Sequence, residues 1–201
     1  MEPFQRLDSV AVPVWRPNID TDAIIAIADC VNRKRPDFGE ALFRRWRSQT
    51  EFSLNQARYQ SPEILVGGLN FGCGSSREMA VWSLCDYGIR CVIAPSFGEI
   101  FFSNCFQNGV LPIRLPEDVV AALVAELDDT DPPRLRVDLE TCQLVTPGDR
   151  TMAFEVNPLR RDALLRGLDP IEATLSHADR IEAFQREDGQ RRPWIYTPGS
   201  A

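Results

Sequence analysis

Residues 63–78 read EILVGGLNFGCGSSRE, and this stretch decides the fold. Its first half is a short apolar run ending in two glycines, which is typical of a buried strand. Its second half is a glycine-rich turn leading into serines, an arginine and a glutamate. That pattern predicts a helix over about 75–86 with Gly88 as its C-terminal stop. Such a connection is either a well-capped helix or a site for a small anion, and both interpretations stay open at this point.

The same alternation of strand and helix continues beyond this stretch. CVIAP at 91–95 and VLPIRL at 110–115 predict strands, with a helix between them over about 97–108. We therefore predict an α/β fold with parallel strand pairing. Residues 116–129 read as an amphipathic helix, and residues 132–156 alternate as strands around a Pro-Gly-Asp turn. Antiparallel pairing there would make the sheet mixed.

Two segments are expected to lie outside this alternating core. Residues 32–60 are polar and arginine-rich, so we predict an excursion with a short helix at about 39–46 and no clear core face. Residues 158–201 predict a C-terminal helical extension, with a stop at Gly167 and a loose tail from Asp188. Because no repeat or low-complexity linker divides the 201 residues, the whole chain is predicted to be a single domain.

Composition argues against two classes of partner. The chain has 29 acidic and 22 basic residues, and no basic patch is dense enough to follow a phosphate backbone, so no nucleic acid partner is expected. The run RRWR at 44–47 is interpreted as a solvated helix face or a subunit contact. Nothing resembles a signal peptide or a span of about 18 apolar residues, which predicts a cytoplasmic chain without a membrane partner.

The cysteines predict neither a disulfide framework nor a metal site. They contain no CxxC pair, and several lie in apolar runs, which suits reduced thiols packed as small hydrophobic side chains. Their positions are 30, 73, 85, 91, 105 and 142. The single histidine, His177, is interpreted as a surface or capping residue because it lies late in the chain among helix-like residues.

The tetrapeptide SSRE admits a structural and a functional interpretation. Ser75 and Glu78 fit a capping box at the start of a helix. Gly72 and Gly74, however, permit positive φ angles and a close approach of the backbone to a ligand. Arg77 is unexpected in a first helical turn, because the helix dipole favours acidic residues there. A carboxylate bound by both branches of its guanidinium would remove this mismatch.

A serine beside such an arginine has a possible chemical role. Amide donors and the guanidinium would stabilise the ionised form of Ser75, and an alkoxide of this kind could act as a base. No histidine lies nearby in the sequence, which argues against a hydrolase-type serine nucleophile. The same absence argues against Cys73 as a nucleophile.

A second polar patch, NIDTD at 18–22, precedes an apolar run. An N-cap or Asx turn accounts for much of this patch. Alternatively, Asp20 and Asp22, which flank Thr21, orient a basic side chain of a partner or a hydroxyl of a substrate.

Four ordered blocks of the chain carry a family resemblance. They are NIDTDAII at 18–25, ILVGGLNFGCGSSRE at 64–78, DYGIRCVIAPSFGEIFFSNCFQNGVLPI at 86–113 and GLDPIEATL at 167–175. Together they resemble the small subunits of bacterial 3-isopropylmalate dehydratase, which are aconitase-type swivel domains. A lone glycine loop would be a weak signal, whereas four blocks in the family's order are specific.

The resemblance implies a fold, a partner and a reaction. The fold would be a three-layer β/β/α swivelling domain with a mixed sheet. It would close, in a heterodimer, over a large subunit that carries a [4Fe-4S] cluster, so that no cofactor and no metal lies on this chain. The complex would be a hydro-lyase of leucine biosynthesis that interconverts 2-isopropylmalate and 3-isopropylmalate, both hydroxy-diacids, by dehydration and rehydration.

The same resemblance implies roles for individual residues. Ser75 matches the serine that exchanges the proton on the carbon beside the leaving hydroxyl, and Arg77 matches the clamp for a substrate carboxylate. Ser76 matches an amide and hydroxyl donor, and Gly74 lies with it in the substrate-binding loop. Asp22 matches the acid that sits beside the catalytic histidine of the cluster-bearing domain.

The chain departs from the family pattern in two places. Where the family tends to have proline and apolar residues facing the side group of the substrate, this chain has Asp29, Cys30 and Val31 as its specificity loop. A carboxylate facing an isopropyl group would cost about a few kcal/mol, unless Asp29 points to solvent. The family's SSREHA is here SSREMA, with Met79. These departures leave open a paralogous subunit for another malate derivative, of citramalate or methylcitrate type, or a non-catalytic anion-binding module.

Overall fold

A computed structural model describes residues 1–196. The strands are β1 (Arg6–Val14), β2 (Ile64–Gly67), β3 (Cys91–Ala94), β4 (Leu111–Arg114), β5 (Arg134–Asp138), β6 (Gln143–Val145) and β7 (Thr151–Ala153). The α-helices are α1 (Thr21–Ile24), α2 (Ile27–Asn32), α3 (Arg44–Arg47), α4 (Glu78–Tyr87), α5 (Glu99–Gln107), α6 (Glu117–Asp129), α7 (Pro158–Arg166), α8 (Pro170–Leu175) and α9 (Ala178–Arg191). The seven strands form one sheet in the order β4-β3-β2-β1-β5-β6-β7.

Strand β1 is shared by two halves of this sheet. Its residues 11–14 pair in parallel with β2, and its residues 6–10 pair antiparallel with β5. Strands β3 and β4 extend the parallel half, and β6 and β7 extend the antiparallel half. The predicted α/β class, the parallel pairing and the mixed sheet are therefore confirmed.

The parallel half of the sheet is buried on both faces. In β2, Ile64 and Val66 belong to a core shared with β5, β6 and α6, whereas Leu65 belongs to a core shared with α4 and α5. Burial on both faces explains why β2 and β3 are continuous apolar runs in the sequence. Helices α4 and α5 thus cover one face of the parallel strands, and the antiparallel half with α6 covers the other, in the aconitase-type mixed α/β fold that the resemblance implies.

The segment 32–60 belongs to the main core, contrary to the prediction of an excursion without a core face. The predicted helix at 39–46 is a 3-10 helix, Asp37–Ala41, followed by α3. The segment buries seven apolar side chains in the core beneath α4: Phe38, Ala41, Leu42, Phe43, Phe52, Leu54 and Tyr59. Short turns place these residues at irregular spacings, so neither helical nor strand periodicity reveals them.

The C-terminal extension is more regular than predicted. Gly167 ends α7 in the left-handed conformation, as expected. The predicted loose tail is wrong for residues 188–196, because α9 continues to Arg191 and a 3-10 helix, Pro193–Ile195, follows it. Asp188 accepts hydrogen bonds from Arg192 Nε at 2.7 Å and from the Tyr196 hydroxyl at 3.0 Å, which fix this end. Residues 197–201 of the predicted tail lie outside the described residues.

Candidate active site

The polar patches of the sequence meet at the carboxyl ends of the parallel strands. The loop after β2 lies between the loops that follow β1 and β3, and backbone hydrogen bonds fix it on both sides. Gly72 N donates to Ile19 O at 2.7 Å and Thr21 N to Cys73 O at 3.0 Å, while Gly98 N donates to Phe71 O at 2.9 Å. Open α/β sheets commonly bind ligands at this edge.

Two glycines allow this loop to approach its neighbours closely. Gly72 has φ +71°, and a Cβ atom there would lie 2.2 Å from Cγ of Phe101. Gly74 has φ +87°, and a Cβ there would lie 3.3 Å from Cβ of Asp20. The expectation of positive φ at both glycines is confirmed, and Gly74 brings the exposed end of the loop against the NIDTD patch.

The predicted capping box is wrong. Helix α4 begins at Glu78, and Arg77 is its N-cap in an extended conformation without a side-chain capping bond. The Glu78 carboxylate instead accepts from Asn108 Nδ2 at 2.9 Å, and Asn108 Oδ1 accepts from Trp82 Nε1 at 2.9 Å. Asn108, the C-cap residue of α5, is thus the partner of Glu78. Ser75 has no capping role and is exposed.

Arg77 is the centre of the site. Its side chain is only 13% exposed, and its Nη1 donates to Asp22 Oδ1 at 3.0 Å and to Ile25 O at 3.2 Å. Its Nη2 donates to Ser75 Oγ at 3.0 Å. The carboxylate that balances Arg77 in the free chain is therefore Asp22, bound through one guanidinium branch, while the other branch holds the serine hydroxyl.

Ser75 is held from a second side by Thr21. The buried Thr21 hydroxyl donates to Ser75 O at 2.9 Å and lies 3.5 Å from Ser75 Oγ. Within residues 1–196, the backbone N–H groups of Ser75, Ser76 and Arg77 have no protein acceptor. An exposed hydroxyl is thus surrounded by a guanidinium and by amide donors that are available to a bound anion.

The two acids of the NIDTD patch have different roles. Asp20 is the N-cap of α1 and accepts from Ala23 N at 2.7 Å, so the capping interpretation is confirmed for this residue. Asp22 is shared between Arg77 and Arg45, whose Nη1 lies 3.3 Å from Asp22 Oδ2. Sequence reasoning missed Arg45, because nothing in the run RRWR indicates that one of its arginines reaches a carboxylate 23 residues earlier.

The predicted specificity loop lies in helix α2. Asp29 is mostly buried and accepts from Arg44 Nη1 at 2.8 Å and from Arg33 Nε at 3.4 Å, so its charge is balanced within the chain. Cys30 is half-buried; burial raises the pKa of its thiol, and the nearby Arg77 opposes that shift. Val31 is exposed, as is Ile27 one helical turn earlier. The loop thus places Cys30 near Arg77 and exposes the apolar side chains of Ile27 and Val31.

The cysteines do not form a ligand set. All six are free, and Cys91 and Cys105 are fully buried. Burial raises the pKa of the Cys73 thiol, and the negative charge of Asp20 raises it further. Both effects disfavour a thiolate nucleophile. Within the described residues, His, Cys, Asp and Glu nowhere gather into a group of three that could hold a metal ion.

His177 is exposed at the N-cap of α9. In residues 1–196, no helix has the length and apolar character needed to cross a membrane.

Comparisons with known proteins agree with this fold. The family model of the aconitase C-terminal domain matches residues 1–118. The 3-isopropylmalate dehydratase small subunit of Neisseria gonorrhoeae is 44% identical and covers 98% of this chain and 99% of its own length. The 3-isopropylmalate dehydratase small subunit of Rhodospirillum centenum is 46% identical and covers 96% of this chain and 98% of its own length. A crystal structure of 3-isopropylmalate dehydratase from Methanocaldococcus jannaschii aligns with a TM-score of 0.65 at 26% identity, covering 90% of this chain and 99% of that one.

The fold and the full-length matches together define the class, and the chain belongs to the aconitase C-terminal domain family. Its particular branch is that of the small subunits of 3-isopropylmalate dehydratase, a hydro-lyase of leucine biosynthesis. Membership in this branch confirms the predicted family and function, and it implies a large subunit as the partner.

Proposed function

We propose that this chain contributes the proton-transferring serine and the carboxylate-binding arginine to the dehydratase. The observation that carries the proposal is the hydrogen bond from Arg77 Nη2 to the exposed Ser75 Oγ at 3.0 Å. It joins the expected base and the expected anion clamp in one unit at the surface. Neither residue has to move far to meet a substrate presented by a second subunit.

Ser75 acts as the base that removes the carbon-bound proton. A serine hydroxyl normally holds its proton at neutral pH, so the site has to favour the alkoxide. Arg77 supplies a positive charge at hydrogen-bond distance, and the unpaired amides add partial positive charge. Both features favour the ionised form of a hydroxyl. Thr21 holds the backbone of Ser75, so the alkoxide would form at a fixed position.

Arg77 also binds a substrate carboxylate, assisted by the backbone amide of Ser76 and the close loop geometry at Gly74. The developing negative charge on that carboxylate would be stabilised by groups already in place. Asp22 accepts from Nη1 and so orients the Arg77 side chain, while Nη2 donates to Ser75 Oγ. Because Arg45 is largely exposed, the outer oxygen of Asp22 is available to exchange Arg45 for a basic group of the large subunit.

The specificity loop supports isopropylmalate as the substrate. The main argument for a more polar substrate was an unbalanced Asp29, and this carboxylate is paired with Arg33 and Arg44. Cys30 and Val31 are then the groups of the loop that contact the branched side group. An apolar contact of this kind distinguishes substrates by about 1–3 kcal/mol per methylene.

The large subunit carries the [4Fe-4S] cluster in this proposal. The described cysteines do not fit such a group, since none of them stands in a group of potential ligands. The cluster would supply a Lewis acid for the leaving hydroxyl, and this chain would supply the proton transfer and the binding of a carboxylate.

Reconstitution of this chain with the large subunit from the same organism tests the proposal. We expect turnover of 2-isopropylmalate and 3-isopropylmalate, and little turnover of citramalate. Ser75→Ala is expected to lower kcat by about 10²- to 10⁴-fold, the usual contribution of a general base, without loss of subunit association. Ser61→Ala is the control, because Ser61 is exposed and precedes β2 at the opposite edge of the sheet. Unchanged turnover in Ser75→Ala would exclude this serine as the base.

A further inference from the structure

The C-terminal helices expose an unusual amount of apolar surface. Leu159 is 82% exposed, Phe184 is 60% exposed and Ile181 is 38% exposed. These three side chains line one groove between α7 and α9, together with Ala163, Leu168 and His177 and with the charged Asp162, Arg166 and Arg180. We call this feature the C-terminal groove. Contiguous apolar surface of this kind marks an interaction site more often than a solvated face.

The helices around the groove are specified by the sequence but poorly packed on the body of the protein. The side chain of Asn157 caps α7, and Asp169 forms a capping box with Glu172 at the start of α8. Yet α7 buries only Leu164, α8 buries no residue and α9 buries only Asp188. Isolated helices of about this length are only marginally stable without tertiary packing. The caps stabilise these helices locally, but their apolar surface lacks a packing partner within the described residues.

The comparisons indicate which protein packs there. The aconitase C-terminal domain model ends at residue 118, whereas the small subunits match 96–98% of the chain, including the C-terminal helices. In aconitase, as the name of the family says, this fold is a C-terminal domain and is therefore covalently joined to the rest. A separate small subunit needs a non-covalent attachment instead. Of the residues beyond 118, α6 and strands β5 to β7 belong to the sheet and its core, so the C-terminal helices are the part available for it.

Access of substrate to the site also requires an attachment to the large subunit outside the substrate entrance. Substrate has to enter and leave past the exposed Ser75, so a contact that seals this face permanently would block turnover. A stable interface buries about 800 Å² on each partner, which favours a second contact area away from the opening. Helix α5 connects the two areas. It starts beside the site loop with the exposed Ile100, and one turn later Ser103 borders a pocket that also contains Leu159.

We propose that the C-terminal groove is a permanent docking surface for the large subunit, distinct from the face that opens and closes at Ser75. The inference rests on the proposed function only in requiring that subunit as the partner. The groove would receive an apolar segment of the large subunit on Leu159, Ile181 and Phe184, while the Ser75 face remains free to admit substrate.

Affinity measured by sedimentation tests this inference separately from catalysis. The double variant Ile181→Ser/Phe184→Ser, and independently Leu159→Ser, should weaken binding to the large subunit of the same organism by about tenfold or more. Their kcat at saturating large subunit should equal that of the wild type. Ile171→Ser is the matched control, because Ile171 on α8 is 71% exposed, between Phe184 and Leu159, but does not line the groove.

Two results would overturn the inference. One is unchanged affinity for the large subunit in variants with wild-type circular dichroism. The other is a wild-type chain that dimerises by itself through the groove, with variants that lose only this dimer. Failure of the proposed function has a different signature, since Ser75→Ala would then turn over isopropylmalate at the wild-type rate while the groove variants still bind the large subunit more weakly.

Discussion

The site loop, residues 68–77, and the C-terminal helices, residues 158–191, are both exposed, but they are held in place in different ways. Hydrogen bonds to the loops after β1 and β3 fix the backbone of the site loop on both sides. The C-terminal helices have their own caps and bury few side chains, although α7 also bonds to the body of the protein, as from Phe4 N to Leu164 O at 2.9 Å. The loop thus has a fixed geometry within one chain, whereas in our proposal the helices pack against another chain.

This difference has a functional meaning. Catalytic groups have to be held within a fraction of an ångström, which backbone hydrogen bonds to the two neighbouring loops provide. A docking surface requires only a defined shape, which local caps provide. Substitutions in the two regions should therefore differ both in the size of their effect and in the property that changes.

The largest effect is expected from Gly72→Ala. The new Cβ would overlap the ring of Phe101 at a positive φ, and strain and overpacking together should cost about 3 kcal/mol or more of the free energy of unfolding. Gly88→Ala is the matched control, since Gly88 also has a positive φ but has no atom within 4 Å of the added carbon. It should cost only about 1 kcal/mol, from backbone strain. Equal urea unfolding midpoints for the two variants would show that the loop is not tightly packed.

Arg77→Lys is expected to have the next largest effect. Lysine keeps the charge but cannot hold Ser75 and Asp22 with two branches at once. We expect kcat to fall by about 10²-fold, as for loss of a preorganised donor, with an increase in KM. Arg90→Lys is the control, because Arg90 precedes β3 at the opposite edge of the sheet. Wild-type kinetics in Arg77→Lys would mean that a point charge is sufficient.

Asp169→Ala should have the smallest effect. Loss of the capping box should destabilise α8 locally by about 1 kcal/mol. Because the C-terminal helices bury little against the body, hydrogen exchange should accelerate in α8 while the global unfolding midpoint stays constant. A lower global midpoint would instead place these helices in the same cooperative unit as the sheet.

The sheet was predictable from the sequence because its signals are local. The apolar runs of β2, β3 and β4 and the turns between them predict both the α/β class and the parallel pairing, and the structure confirms these predictions. The positive φ angles of Gly72 and Gly74 were likewise predictable from residue type. Ser75, Arg77 and Asp22 were named in advance, and the structure brings them together, although their catalytic roles stay predictions.

The failed predictions concern long-range partners. The sequence fits a capping box at Ser75 because Glu78 follows at the right spacing, but Asn108, 30 residues later, binds that glutamate instead. Asp29 was expected to face substrate or solvent, whereas it binds Arg44, 15 residues later. Such contacts depend on tertiary packing that no local pattern encodes.

The most direct test of the central claim is the single-turnover rate of proton removal in the reconstituted complex. It is measured as the appearance of the dehydrated intermediate from 2-isopropylmalate, with wild-type chain and with Ser75→Ala. The account predicts a rate for Ser75→Ala that is lower by about 10²-fold or more, at an unchanged dissociation constant for the substrate. A wild-type rate of intermediate formation in that variant would contradict the account.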